Sequence, residues 1–254
     1  MLKLFCVMIT TIYTFLALII VSALSFVGAL TLTIGQERLK KALLYLVSFS
    51  AGALLGDVFL HLLPQMQENG FGSKEGFYIL AGIFLFFVFE KYIHWHHSHT
   101  EHKEEIHAVV YLSIFGDALH NFIDGLIIAG SFIVSVPLGI ATSLAVIFHE
   151  IPHELGNFAV LVHGGWSAKK ALLYNFLSSF AAFFGAFIVL VFARGGGGSP
   201  NILLALGASN FIYVALTDLV PELHEENEKK KSLLLLLVFI LGILAMAALL
   251  MLER

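Results

Sequence analysis

A single cysteine, Cys6, among 254 residues leaves no intrachain disulfide and no thiolate metal cluster, so any metal site must draw on His, Asp, Glu or Asn. Charge is equally scarce, at 13% of the chain against about 25% in ordinary soluble domains. With 59% apolar residues and a mean hydropathy of +0.91, polar surface is too limited to cover a water-facing globule. A soluble fold is excluded, and lipid must be the solvent. The formal net charge of −4, with no basic stripe outside short loops, excludes a nucleic-acid partner.

What the chain has instead is apolar runs. Crossing about 30 Å of hydrocarbon takes roughly 20 residues at about 1.5 Å each. Eight stretches fit, near residues 4–34, 42–63, 76–89, 108–136, 138–162, 171–193, 202–220 and 233–252, the third being short unless Glu90 to Ile93 extend it. Long unbroken runs, rather than alternating ones, call for helices and not a barrel. The expected fold is therefore all-α, a polytopic membrane protein with eight spans in one transmembrane domain over 1–254. The first run is longer than the apolar region of a secretory signal, so it reads as a span.

Lys and Arg set the orientation. Loops after spans one, three, five and seven hold Arg38, Lys40, Lys41, Lys91, Lys103, Lys169, Lys170, Lys229, Lys230 and Lys231, ten of the fourteen. The opposite side holds Lys3, Lys74, Arg194 and Arg254. Both termini are thus expected outside the cytoplasm. Gly195 to Pro200 reads as a flexible outer connector. Pro137 leaves almost no loop between spans four and five, which must form an antiparallel hairpin that sets their polar residues face to face.

Those polar residues are unusual for a membrane helix. In span four Asp117, His120 or Asn121, and Asp124 recur at three- and four-residue steps along one stripe. In span five His149 pairs with His153, and Glu150 with Glu154, one turn apart. Ionisable groups within a span cost a few kcal/mol each or more, so this number of them implies a cavity, mutual partners or an ion. Imidazole with carboxylate is the donor set for a borderline divalent cation such as Zn²⁺, with Fe²⁺ and Mn²⁺ also suited. His120 with Asp124 and His149 with His153 supply four donors from facing helices. Asn121 and Glu150, each one residue on, point about 100° away and suit a neighbouring second ion that shares Asp124. Pro152 lacks an N–H, so the Phe148 carbonyl loses its helical partner beside the site.

Other polar positions are weaker signals. Asp57 and His61 in span two read equally as ligands on an access path or as helix-contact groups. Asp218 in span seven looks structural, and Glu222 to Glu226 read as a solvated helix end or an exit relay. Asn175, Ser178 and Ser179 are common interhelical glue, and Gly52 to Gly56 is a small-residue packing pattern. Residues 94–107 interleave six histidines with Glu101, Glu104 and Glu105, an irregular tract read as a cytoplasmic metal-capturing loop rather than a tag.

At His120-Asn121-Phe122-Ile123-Asp124-Gly125 and His149-Glu150-Ile151-Pro152-His153-Glu154 the chain resembles the ZIP (ZRT/IRT-like) family of metal transporters, in the subgroup whose fifth span carries HExPHE. The span-two segment 55–64 and the span-seven segment 215–223 extend the resemblance over most of the chain. It implies zinc uptake into the cytoplasm across the plasma membrane, with Fe²⁺, Mn²⁺ or Cd²⁺ also accepted. It further implies a two-metal centre: His120, Asp124, His149 and His153 in the primary site, Asn121, Glu150 and Asp124 in the secondary one. The implied architecture is a three-two-three helix arrangement with inverted repeats, in a homodimer that alternates access. Asn157 stands where that subgroup usually has Asp.

One rival shares the motif. His149-Glu150-Ile151-Pro152-His153 formally matches the HExxH of an intramembrane zinc protease, with Glu150 as general base. Such proteases carry their third-ligand Asp-Gly downstream, whereas Asp124-Gly125 lies upstream, and a closed four-donor set leaves no position for catalytic water.

Overall fold

The computed structural model describes residues 2–32, 36–97, 104–194 and 200–252. Among the described residues every element is helical and there is no strand. Helix α1 (Leu2–Ala23) continues into a 3₁₀ stretch (Leu24–Leu32). Helix α2 (Gln36–Asp57) runs through a π-turn (Val58–Leu62) into α3 (Leu63–Glu68). Then come α4 (Ser73–His97), α5 (Glu104–Val134), α6 (Val136–His163), α7 (Ala168–Ser179) and α8 (Ala181–Arg194). Helix α9 (Pro200–Val214) passes through a second π-turn (Ala215–Leu219) into α10 (Val220–His224), and α11 (Lys229–Leu249) ends in a 3₁₀ turn (Leu250–Leu252).

Among the described residues six stretches are long and apolar enough to cross a membrane: Met8–Leu30, Ala42–Glu68, Ser113–Val134, Ala168–Phe192, Pro200–His224 and Lys229–Leu249. That is two fewer than the eight expected. The two helices outside this set are α4, whose apolar stretch is bounded by Lys74, Glu75, Glu90 and Lys91, and α6, which is diluted by His149, Glu150, His153 and Glu154. The Gly195 connector and residues 98–103 of the His-rich tract lie outside the described residues, as do the side chains of that tract as a whole.

Two helices run through a proline past the expected span ends near 63 and 220. The N–H of Leu63 reaches back five residues to the Val58 carbonyl, and that of Val220 to Ala215. Each π-turn shifts the ladder just before Pro64 or Pro221, where a four-residue ladder would lose a bond to the missing N–H. The chain therefore continues as helix to Glu68 and His224.

Glycine decides how closely the helices pack. A Cβ on Gly52 would fall 2.0 Å from the Phe239 carbonyl oxygen of α11, and one on Gly242 would fall 2.2 Å from that of Phe49. Gly125 and Gly185 bring α5 and α8 together in the same way, against the Ala182 and Phe122 carbonyls at 1.9 and 2.1 Å. In lipid no hydrophobic drive separates helix from solvent, so this backbone-to-backbone approach supplies much of the association. Phe84, Phe187, Leu236 and Leu237 point outward, whereas Leu62, Ile127, Ile128 and Phe211 fill the interior.

The α5–α6 hairpin turns on one residue. Ser135 is extended, and its hydroxyl accepts the Leu138 N–H at 3.2 Å, which caps α6 while Pro137 occupies its first turn. The polar stripes of the two helices consequently face one another.

Gly52→Leu must push α2 off α11 and is expected to lower thermal stability in detergent by at least 1–3 kcal/mol, roughly the cost of overpacking. Gly76→Ala, with nothing within 4 Å of the new methyl, is the control expected to leave the melting temperature unchanged.

Candidate metal centre

Four side chains converge where α5 faces α6. One ligand atom each from His120, Asp124, His149 and Glu150 lies within 4.8 Å of all the others. The His120 and His149 Nε2 atoms are 3.0 Å apart. His120 Nε2 lies 3.2 Å from Glu150 Oε1 and 3.7 Å from Asp124 Oδ2; His149 Nε2 lies 3.3 Å from Asp124 Oδ2 and 3.7 Å from Glu150 Oε1. Bonds of about 2.0–2.1 Å to a tetrahedral cation place neighbouring donors about 3.4 Å apart, so these spacings fit one Zn²⁺-sized ion.

Tautomer and burial favour the same occupant. His149 Nδ1 lies 3.2 Å from the Ala145 carbonyl one turn earlier, which can only accept, so Nδ1 carries the proton and Nε2 turns a lone pair to the cluster. Asp124, His149 and Glu150 are at most 1% exposed, and Asp124 Oδ2 with both Glu150 oxygens lacks a hydrogen-bond donor. Among the described ion pairs none brings Lys or Arg to these carboxylates.

The expected donors are distributed differently from the sequence pattern. Glu150 joins the four-atom cluster where His153 was anticipated. His153 stacks on His120, with ring centroids 4.4 Å apart, and turns Nδ1 toward Asp117 Oδ1 at 3.5 Å. Asn121 donates from Nδ2 to the Asp117 carbonyl at 3.1 Å, leaving its buried Oδ1 without a hydrogen-bond donor beside the cluster. Asp57 and His61 are not in the cluster: Asp57 Oδ2 accepts from the Thr142 hydroxyl at 3.3 Å, and His61 Nε2 meets the Met246 carbonyl at 2.9 Å.

Several supporting groups were read from sequence only as interhelical glue, as Asn175 and Ser178 were, or not at all, as with Ser113 and Asn210. Ser178 donates to Asp117 Oδ2, and Asn175 Nδ2 donates to Glu154 Oε2 at 2.8 Å. Asn157 Nδ2 donates to Asn175 Oδ1 at 3.1 Å and its carbonyl accepts from Ser113. Asn210 of α9 reaches Asp124 Oδ1 at 3.5 Å. The only available signal was the presence of polar residues in apolar runs. The Phe148 carbonyl freed by Pro152 is met by the Ser50 hydroxyl at 2.5 Å. A cavity of about 480 Å³ opens beside the cluster, lined by Asp117, His149, His153, Asn157, Asp218 and Glu222 among others.

The profile of the family described as ZIP zinc transporter matches residues 8–108 and 94–250. This chain belongs to the ZIP family. Among its relatives in the family, the zinc transporter ZIP4 of Mus musculus is 31% identical over 256 residues, covering 72% of this chain and 39% of that protein. The zinc transporter ZIP13 of Pongo abelii is 35% identical over 219 residues, 79% of this chain and 65% of that protein. The metal cation symporter ZIP8 of Homo sapiens is 42% identical over 127 residues, 50% and 27% respectively. The chain spans less than two thirds of each of these ZIP proteins.

Metal titration of the purified chain orders the donors. Removing an outer-shell partner costs roughly 10–100-fold in affinity, so His149→Ala is expected to weaken Zn²⁺ or Cd²⁺ binding by more than about 100-fold. His153→Ala, outside the four-atom cluster, is expected to cost less, as read by calorimetry.

Proposed function

We propose that this chain is a secondary transporter that carries divalent cations, zinc foremost and Fe²⁺, Mn²⁺ or Cd²⁺ as further cargo, across the membrane into the cytoplasm. The observation that carries the reading is the four-donor cluster of His120, Asp124, His149 and Glu150, whose imidazole nitrogens lie 3.0–3.7 Å from one another and from the carboxylate oxygens in the interior of an apolar helical bundle. The relatives' names, zinc transporter and metal cation symporter, support it.

The transported ion is the substrate, and the side chains replace its water. His149, with its tautomer set by Ala145, and His120 offer nitrogen; Asp124 and Glu150 offer oxygen and the charge that offsets the cation. A second ion beside the first draws on Asn121 Oδ1, His153 and the far side of Glu150, with Asp124 shared. Turnover needs a site that also releases, and mixed carboxamide and carboxylate donors supply one. Asp57 and His61 lie on the access side of this path, and the cavity with Asp218 and Glu222 forms its exit.

Helices α4 and α6 complete eight spans in a three-two-three arrangement of inverted repeats. The whole chain forms one domain, with both termini outside the plasma membrane and residues 94–107 as a cytoplasmic capture loop. A homodimer in the lipid bilayer alternates access between the two sides. Peptide hydrolysis through Glu150 is disfavoured, because four protein donors close around the site where a protease keeps one position for water.

Zinc uptake into liposomes holding the purified chain tests the reading. Flux is expected in the unsubstituted chain and lost in His149→Ala and Asp124→Ala; equal flux in all three would reject the centre. Protons compete with the cation for the imidazole nitrogens, so at subsaturating zinc the affinity is expected to fall as pH is lowered. Zinc-dependent peptide cleavage that disappears in Glu150→Gln would instead favour the protease.

A further inference from the structure

A third helix reaches the centre. Along α5 and α9 the close contacts run in antiparallel register: a Cβ on Gly130 would fall 3.0 Å from Leu203 Cβ, and one on Gly207 would fall 2.9 Å from Ile127 Cγ2. One more step of the same size along this seam sets Asn210 opposite Asp124. Asn210 is 3% exposed, and its Nδ2 donates to Asp124 Oδ1 at 3.5 Å. The next residue, Phe211, holds its ring centroid 6.0 Å from that of His149. Gly207 thus fixes the approach of a helix that brings the centre one amide donor beside an apolar wall.

That amide divides the two oxygens of Asp124. Oδ2 is turned to the imidazoles, 3.3 Å from His149 Nε2 and 3.7 Å from His120 Nε2, and accepts no hydrogen bond among the described residues. Oδ1 is held by Asn210. A carboxylate tethered in this way offers a cation one oxygen. Glu150 is the contrast, because neither of its oxygens is bonded to a donor, and it can bind through one or through both. The four side chains together then supply at most five donor atoms: two imidazole nitrogens, two oxygens of Glu150 and one of Asp124. Released from Asn210, Asp124 would add the sixth.

Coordination number separates divalent cations. Zn²⁺ is satisfied by four donors and occasionally takes five, whereas Mn²⁺ prefers an octahedral, oxygen-rich set of six. We propose that Asn210 is a positioning residue that sets metal preference: by holding Asp124 to a single oxygen it keeps the centre short of the sixth donor and ranks zinc ahead of manganese as cargo. This deepens the transport reading and rests on it. Asn210 acts through the ligand it tethers, as the outer partners of metal-binding side chains do. Sharing of Asp124 with a second ion then falls to Oδ2.

Calorimetric titration of the full chain in detergent with Zn²⁺ and with Mn²⁺ tests the assignment through the ratio of the two dissociation constants, manganese over zinc. Outer partners of metal ligands are worth roughly 10–100-fold in affinity, so Asn210→Leu, close in shape but without an N–H, is expected to lower that ratio at least about tenfold. Asn210→Ala serves as the second variant if the leucine chain fails to assemble. Asn210→Gln, which keeps the carboxamide, is expected to stay nearer the unsubstituted ratio than either. Co²⁺ in place of zinc reports the donor count directly: the intense visible bands of a low-coordinate ion in the unsubstituted chain are expected to give way to the weak bands of a six-coordinate one in Asn210→Leu. A residue that merely packed α9 against α5 would weaken both metals together. An unchanged ratio, an unchanged Co²⁺ spectrum, or an equal shift in Asn210→Gln overturns the proposal. His149→Ala binding and zinc flux into liposomes are measured alongside. Zinc bound and carried with an unmoved ratio defeats the role of Asn210 alone, whereas zinc affinity indifferent to His149→Ala, or absence of flux, defeats the transport reading itself.

Discussion

Four carboxylates, those of Asp117, Asp124, Glu150 and Glu154, sit between apolar helices with at most 3% exposure. Carboxylates in a bilayer interior are expensive, and Coulomb repulsion among them compounds the cost. Neutral imidazoles bring lone pairs but no charge to offset that repulsion. A divalent cation resolves the conflict by supplying charge and directional bonds at once. The rest of the bundle serves to hold the polar stripes of α5 and α6 together: the one-residue turn at Ser135 and the glycine contact of Gly125 with Ala182 on the opposite flank of α5.

Around the centre, hydrogen bonds hold the carboxylates without neutralising them. Ser178 and Asn175 of α7 donate to Asp117 and Glu154. Asn157 explains itself in this network: its amide donates to Asn175 while its carbonyl accepts from Ser113. An ionised aspartate, which only accepts, would not donate to Asn175, so the carboxamide fits these partners.

Much of this was legible in sequence because hydrophobic length and helical period are strong signals. The runs, the hairpin at Pro137 and the two polar columns were all readable. Periodicity names a helix face, but it does not say which of two adjacent residues spans the gap. Glu150, with a longer and more flexible reach, occupies the place anticipated for His153. The spans read as ending near 63 and 220 continue because a π-turn before Pro64 and Pro221 lets the helix run on. The span count fell short in α6 because the groups that build the centre are the ones that lower its hydropathy.

Ser50 lies within reach of two carbonyls, Leu46 in its own helix at 2.7 Å and Phe148 across the seam at 2.5 Å. A hydroxyl has one proton to give, so it serves one of them fully at a time. If α2 slips along α6, the proton is handed from one acceptor to the other and no donor is stranded in the lipid. Grip between these helices is thus exchangeable, a sliding catch rather than a bolt, at the turn that borders the ion.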